Sequence, residues 1–424
     1  MIDTMSGTGA CRDCGATLVS LRDAAPWCAG CEWNLDAYDA PRRVPEFGWT
    51  WVDRWTWRLA FRMTRRQFGR LVGRPLGATG SGRAALLTAA ASVVLLAGVV
   101  ALAITGVWLI VAFPVPNLSV VLGVALLGLA VALRPRFGRL DPDLEVLSRD
   151  RAPELHALVD EVAAAVGAPL PHIVGVDDDL NAYAGLVGLR RRRVLCLGLP
   201  YWGALDAQER VALLGHELGH FVNGDPRRML LTQPAFTMLG SAADLVRPVD
   251  TVSGGGIVEM VGEALGKAFQ WVLSRLLFGV HLVLVCVALR DSQRAEYLAD
   301  EMSARAAGSA AATSLLDAVL AVESTALAVR REARAGHGAD RWRAAAAEAR
   351  AAAADRLPRL RQLSVRDEAS LFAAHPPAGL RRRMLTDRPW RDPAVVLTEA
   401  RLARIDAELA KEYARVGRTL SWSG

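Results

Sequence analysis

Between Arg83 and Arg134 the chain carries no charged residue. Such a run is far longer than the roughly 20 residues one helix needs to cross a bilayer. The turn signal PVPN, Pro114 to Asn117, interrupts it. The pattern therefore predicts two transmembrane helices, 86–112 and 117–133, in a tight hairpin within a segment 84–135. A second apolar region follows at 229–289. Trp271 to Leu289 is apolar apart from Arg275 and His281, whereas Met229 to Val246 is interrupted by Gln233, Pro234 and Asp244. With the glycine-rich stretch Ser253 to Gly256 between them, they read as a second hairpin, or as one span plus a buried or peripheral helix. Residues 141–230 read as soluble. Apolar positions at helical spacing follow Asp141, and PHIVGVD and RRVLCLGLP are short apolar runs that suit strands. Beyond Arg290 the chain is charged and helical again. RAAAAEARAAAAD is strongly helix-forming, as a solvated helix or a mobile linker. Residues 393–424 read as a C-terminal helical tail.

Composition supports a membrane protein. Of the 424 residues 52% are hydrophobic, and mean hydropathy is positive. The net charge of +6 could serve nucleic acid or an anionic membrane surface, and the distribution of charge decides. Arginines crowd both ends of the first hairpin: Arg62, Arg65, Arg66, Arg70, Arg74 and Arg83 before it, Arg134, Arg136 and Arg139 after it. The positive-inside rule places both ends in the cytoplasm. Residues 41–83 add Trp49, Trp51, Trp55 and Trp57 to those arginines. Indole rings and guanidinium groups suit the headgroup level of a bilayer, so the segment is expected to be membrane-proximal rather than a nucleic-acid surface.

Four of the six cysteines form two pairs, Cys11/Cys14 and Cys28/Cys31, in CRDCGATLVSLRDAAPWCAGC. Two C-x2-C pairs at this separation match a zinc ribbon, here 1–40. No apolar stretch follows Met1 as in a signal peptide, so the pairs are expected in a reducing compartment, where thiols hold metal rather than form disulfides. Such a ribbon could also bind a protein partner.

The stretch LLGHELGHFVNGD carries the candidate chemistry. Asp206 and Glu209 make a reciprocal helix cap, and Asn223, Gly224 and Pro226 a stop. On the helix between them His216 and His220, four apart, share a face and can present imidazoles to one metal ion. Glu217 lies beside that ion as a base for a metal-bound water. Catalytic zinc takes three protein ligands and keeps one position open. In RAEYLADE, Glu296 is the candidate third ligand, and Asp300, one turn on, can hydrogen-bond a ligating histidine. Zinc acidifies water and polarises a carbonyl, and Glu217 can carry the proton to a leaving amine, which is the machinery of peptide hydrolysis.

From about residue 84 to 390 the chain resembles the HtpX-like membrane zinc metallopeptidases, relatives of the CAAX prenyl protease, on GHELGHFVNGD, EYLAD, DDLNAYA and HPPAGLRRR. The resemblance implies a mainly α fold with a small β-sheet: a membrane-anchored zincin-like metallopeptidase domain at 136–392, with the zinc ribbon appended. It implies that Asn181, Ala182 and Tyr183 open an edge strand beside the substrate cleft, where a peptide could add as a further strand. It also implies that His375 and Arg381 lie on a loop near the active site, where His375 contacts or gates the metal. The expected cofactors are one catalytic and one structural Zn2+. The expected partners are a protein substrate and the lipid bilayer. The expected location is the inner membrane, multi-pass, with the catalytic domain and N-terminus cytoplasmic and a role in membrane-protein quality control. Two other readings stand beside this one: a membrane adaptor or sensor with an idle site, and an intramembrane protease. The polar ends of the metal helix, DAQER and NGD, favour a site in water next to the bilayer.

Overall fold

A computed structural model describes residues 9–19, 24–76, 83–113, 117–134, 140–188, 190–224, 257–373 and 375–422, with Met238 and Ala242 as isolated positions. In chain order the elements are β1 (Leu18–Val19), β2 (Trp27–Cys28), α1 (Thr50–Leu71), α2 (Arg83–Ala112), α3 (Leu118–Ala132), β3 (Glu145–Val146), α4 (Pro153–Val166), β4 (Ile173–Asp177), β5 (Ala182–Val187), β6 (Arg192–Gly198), α5 (Leu199–Ala204), α6 (Ala207–Asn223), α7 (Ile257–Leu320), α8 (Val322–Arg334), α9 (Ala339–Ala353), α10 (Leu357–Asp367), α11 (Ala378–Thr386), α12 (Glu399–Glu408) and α13 (Ala410–Trp422). The fold is mainly helical with small sheets. The chain divides into two compact units. One comprises Met1–Thr79, Arg139–Pro226 and Ser292–Gly424, the other Gly80–Gly138 and Arg227–Asp291.

In the first unit the four-stranded sheet has the order β3-β4-β6-β5. β4 and β6 run parallel, with Val174 opposite Leu195, and β5 returns antiparallel to β6. The two central strands are buried where they pair because they are almost wholly apolar, as a strand covered on both faces must be. α4 starts on Pro153 and stops at the left-handed Gly167. Its Leu155, Leu158, Val159 and Val162 join β4, β6, α5 and α6 in one core.

That core also takes in two segments for which the sequence suggested a lesser part. The alanine-rich stretch forms α9, whose Trp342 is fully buried edge-on to Tyr413 of α13. The C-terminal residues contribute Leu402, Ile405, Leu409 and Val416 to the same core. Their Glu408 accepts the amides of Glu154 and Leu155 at the start of α4, and Asp406 pairs with the buried Arg210 of α6. Alanine permits this because it lets helices approach closely while keeping high helix propensity.

α7 is broken at Gly308, whose φ of +84° leaves the helical region. The segment 391–395 runs past the break, where Ser309 N–H donates to Arg391 C=O and Ala394 and Val395 donate to Ala306 C=O. A Cβ on Gly308 would lie 3.0 Å from Pro393 N.

α1 buries Trp57, Phe61 and Phe68 beside Tyr297, Leu363, Leu380 and Met384. Trp57 therefore sits inside the protein, while Trp49, Trp51 and Trp55 are exposed.

In the second unit α2 and α3 pack at glycine. A Cβ on Gly106 would meet Gly123 C=O at 2.8 Å, and one on Gly123 would meet Gly106 C=O at 2.7 Å. Among the described residues two helical stretches are long and apolar enough to cross a membrane, Ala89–Ala112 and one within Glu263–Leu320. α3, at 15 residues, spans about 22 Å, less than the roughly 30 Å hydrocarbon core. Val94, Ile104, Trp108, Val121, Phe269 and Leu276 expose large apolar side chains. The turn around Pro114 to Pro116, the stretch Met229 to Val246 and the glycine-rich Ser253 to Gly256 lie outside the described residues, apart from Met238 and Ala242.

Candidate metal centre

α6 begins at a complete capping box. The Asp206 side chain accepts Glu209 N–H at 2.8 Å, and the Glu209 side chain accepts Asp206 N–H at 3.0 Å. Glu209 is further fixed by Arg350 at 2.7 Å and by the hydroxyl of Ser314 at 2.6 Å. The helix ends at Gly224 in the left-handed region. Along it His216 and Glu217 are buried and His220 is half-buried, with the two imidazoles edge-to-face and 4.9 Å apart.

Glu296 and Asp300 come from the part of α7 in the first unit. α6 can approach this helix closely because two of its residues have no side chain. A Cβ on Gly215 would lie 3.0 Å from Ser303 Cα and Ala306 Cβ, and one on Gly219 would lie 3.0 Å from Ala299 Cα and Met302 Cβ. These glycines were missed in the sequence, although their spacing was the available signal: they stand four apart, each just before a histidine. The Ser303 hydroxyl ties the pair further, donating to Ala212 C=O at 2.8 Å.

One ligand atom each from His216, His220 and Glu296 can be chosen so that all three lie within 4.8 Å of one another. His216 Nε2 lies 3.6 Å from Glu296 Oε2, and His220 Nε2 lies 3.7 Å from Glu296 Oε1. Tetrahedral zinc with nitrogen and oxygen ligands separates its donors by about 3.3–3.6 Å, so the set fits a zinc ion in chemistry and its two carboxylate–imidazole separations lie close to that range. The other nitrogen of His216, Nδ1, lies 3.1 Å from Asp300 Oδ1, which turns Nε2 toward the ligand set. Arg381 clamps Asp300 with two hydrogen bonds, Nε to Oδ2 at 2.9 Å and Nη2 to Oδ1 at 2.7 Å. Its Nη2 also stands 3.8 Å from Glu296. Burial would raise the pKa of Glu296, but the hydrogen bond from His375 and the charges of His220 and Arg381 outweigh it and bring it down to about 2. Burial likewise opposes ionisation of Asp300, and Arg381 overcomes it and holds the carboxyl well below its ordinary range. Both carboxylates are thus ionised. Glu217 makes no hydrogen bond or ion pair among the described residues and stands beside the ligand set on the same helix.

His375 Nδ1 lies 2.6 Å from Glu296 Oε2, and its side chain is half exposed. The loop that carries it is closed by Glu368, which accepts Ala378 N–H at 2.7 Å. Asn181 precedes β5, and its carbonyl accepts Gly198 N–H. Ala182 is buried and Tyr183 partly exposed on that strand, which forms one edge of the sheet and packs against α6.

A second set of donors lies at the N-terminus. Cys11, Cys14, Cys28 and Cys31 converge with their sulfurs within 4.8 Å, and none is in a disulfide. Cys11 Sγ is 3.6 Å from Cys31 Sγ, and Cys14 Sγ is 3.4 Å from Cys28 Sγ. A zinc tetrathiolate has sulfur separations of about 3.8 Å. The backbone amide of Cys31, with that of Gly30 and the thiol of Cys14, draws the pKa of Cys28 down to about 6 against the effect of burial.

Residues 149–388 match a family model described as Peptidase family M48. Three similar proteins are each named "Protease HtpX homolog". The one from Syntrophobacter fumaroxidans is 28% identical over 56% of this chain and 77% of its own length. Those from Gemmatimonas aurantiaca and Methanothermobacter thermautotrophicus are 29% and 33% identical, over 43% and 26% of this chain. The chain spans 61% and 43% of the length of these last two. No solved structure matches the chain.

Proposed function

Because the chain belongs to peptidase family M48, we propose that it is a zinc-dependent endopeptidase, anchored in the inner membrane and working on its cytoplasmic face in membrane-protein quality control. The observation that carries this reading is the convergence of His216, His220 and Glu296 around one point. His216, His220 and Glu296 would hold the ion, and Asp300 would orient His216 while Arg381 fixes Asp300. When bound, the ion supplies an acidified water and a Lewis acid for the scissile carbonyl. Glu217 takes the proton of the attacking water and returns it to the leaving amine. The edge of β5, opened by Asn181, Ala182 and Tyr183, holds an extended peptide by main-chain hydrogen bonds. Cys11, Cys14, Cys28 and Cys31 would hold a structural zinc. The apolar helices α2, α3 and the 263–286 part of α7 anchor the chain, and the arginine bias around α2 and α3 sets the cytoplasmic orientation.

The adaptor reading needs a ribbon with a face to offer. Here Trp27 and Leu35 of the ribbon are already buried beside Trp57, Leu363 and Leu380, which favours the peptidase. The test is proteolysis of an unfolded protein in mild detergent with zinc, comparing wild type with Glu217→Gln. The wild type is expected to cleave. The variant is expected to lose at least about 100-fold in rate, the worth of a general base, with zinc content unchanged. Equal cleavage by both would remove Glu217 from the mechanism. Cleavage by neither, with zinc bound, would favour the adaptor.

A further inference from the structure

We propose that the outward face of α1 is a docking surface for anionic phospholipid headgroups. The proposal rests on the membrane-anchored reading above and adds a second, electrostatic attachment to it.

The face is written into the helix at a four-residue interval. Arg54, Arg58, Arg62, Arg66 and Arg70 are all exposed, and Trp51 and Trp55 stand exposed at the N-terminal end of the same face. Successive arginines lie about 6 Å apart along the axis. Like charges at this spacing repel one another and weaken a helix. None of the five forms a salt bridge among the described residues. Arg54 lies over the Tyr38 ring, and Arg62 bonds the Arg58 carbonyl. Of the acidic groups nearby, Asp53, the acidic residue of α1, is buried and accepts Phe47 N–H, Glu32 is taken by Arg65, and the charge of Glu46 acts on Arg43. A ladder of mutually repelling, uncompensated guanidinium groups is complementary to a surface of negative charge.

Three observations select lipid. Indole rings at the end of a basic helix suit the membrane interface. Basic clusters on a helix beside a transmembrane segment are attracted to anionic headgroups. Finally, α1 ends at Leu71 and the apolar helix α2 starts at Arg83, so the basic helix directly precedes an apolar one in the chain. The opposite face of α1 is fastened to the peptidase body. Phe68 packs on Tyr297, the neighbour of Glu296, and Thr64 accepts a hydrogen bond from Gln293 four residues before Tyr297. A bilayer held on one face of α1 therefore fixes the height of the metal centre, and directs the enzyme toward peptide segments that emerge next to the lipid surface.

The test uses the full chain in lipid nanodiscs of phosphatidylcholine alone or mixed with phosphatidylglycerol, with shallow brominated lipid as quencher. The quantity read is the emission of Trp51 and Trp55, taken as the difference between wild type and the W51F/W55F variant. In anionic nanodiscs this emission is expected to be quenched at least about twofold, and about 0.5 M salt, where the Debye length falls to about 4 Å, should restore it. R58E/R62E/R66E should abolish the quenching, while R58K/R62K/R66K, which keeps the charge, should retain it. Equal quenching in both lipids, or none in either, overturns the proposal. Binding of duplex DNA that R58E/R62E/R66E removes, without lipid dependence, assigns the face to nucleic acid and overturns it too. Failure of the chain to enter nanodiscs at all is separately visible by size exclusion, and it defeats the membrane reading as well as this one.

Discussion

Glu296 is the residue on which the metal centre turns. It is only 5% exposed, yet ionised, because His375, His220 and Arg381 surround it. Its folded pKa of about 2 lies below the ordinary 4.5, so its carboxylate adds stability that is fully present above about pH 4.5 and is lost as pH falls toward 2. In metal-free protein the melting temperature of wild type relative to Glu296→Gln should begin to converge as pH falls below about 4.5 and go on converging toward about 2. A difference unchanged down to about pH 3 would mean that the surrounding cations do not hold the carboxylate ionised. The candidate ligands could be picked out in the sequence because a four-residue interval fixes a helix face before any tertiary structure is known. The partner of Asp300 was not: Arg381 lies on a separate helix, α11, and only the resemblance placed it near the site, without saying what it touches.

At the scale of the element, α6 and α7 approach so closely at the site that a Cβ on Gly215 or Gly219 would crowd the facing helix at 3.0 Å. Alanine at position 219 would raise the intrinsic helix propensity of α6 by about 1 kcal/mol. It would also press a methyl group to 3.0 Å from Ala299 Cα on the facing helix. Backbone cannot step aside as a flexible side chain can, and such overpacking costs about 1–3 kcal/mol. Gly219→Ala is therefore expected to lower the melting temperature and to weaken zinc binding at least about tenfold, measured by chelator competition. Since 1.4 kcal/mol is a tenfold change in binding, a displacement of a few tenths of an ångström shared between fold and site suffices. A stabilised variant with unchanged zinc affinity would show that the helices have room. The capping box at Asp206 and the stop at Gly224 could be read in advance because both are local. Helix-to-helix distance is not local, and the break of α7 at Gly308 lay hidden in an otherwise helical stretch because its cause is a segment more than 80 residues later.

Over the whole molecule, the least legible feature is that the cysteine module is part of the peptidase body. C-x2-C spacing announces a ribbon but says nothing of where it docks. The structure fastens it to α10, the helix that leads to the His375 loop. Trp27 Nε1 donates to Gln362 Oε1 at 3.0 Å. Arg366, 1% exposed and stacked near the Trp27 ring, donates to the carbonyls of Ala25, Asn34 and Leu35. Ala25 lies between the two cysteine pairs, and Asn34 and Leu35 come just after Cys31, so Arg366 binds the backbone on both sides of the second pair. Arg366→Met keeps much of the packing but takes the charged donor from all three carbonyls, and of these only Asn34 C=O keeps another among the described residues, the amide of Ala37. At roughly 1.5–3 kcal/mol for each hydrogen bond to a charged group the loss is about 4 kcal/mol or more. Cys28→Ser removes one of four thiolates and is expected to reduce the zinc content from two ions per chain to one. Each substitution alone should lower the melting temperature and open the 24–45 region to limited proteolysis. Together they should do little more than the worse of the two, because both undo one docked unit and residues acting through one interface do not add. Melting curves and zinc analysis of the two single variants and the double variant decide the matter. Strictly additive losses would mean that the metal shapes the ribbon internally while Arg366 holds the body by itself.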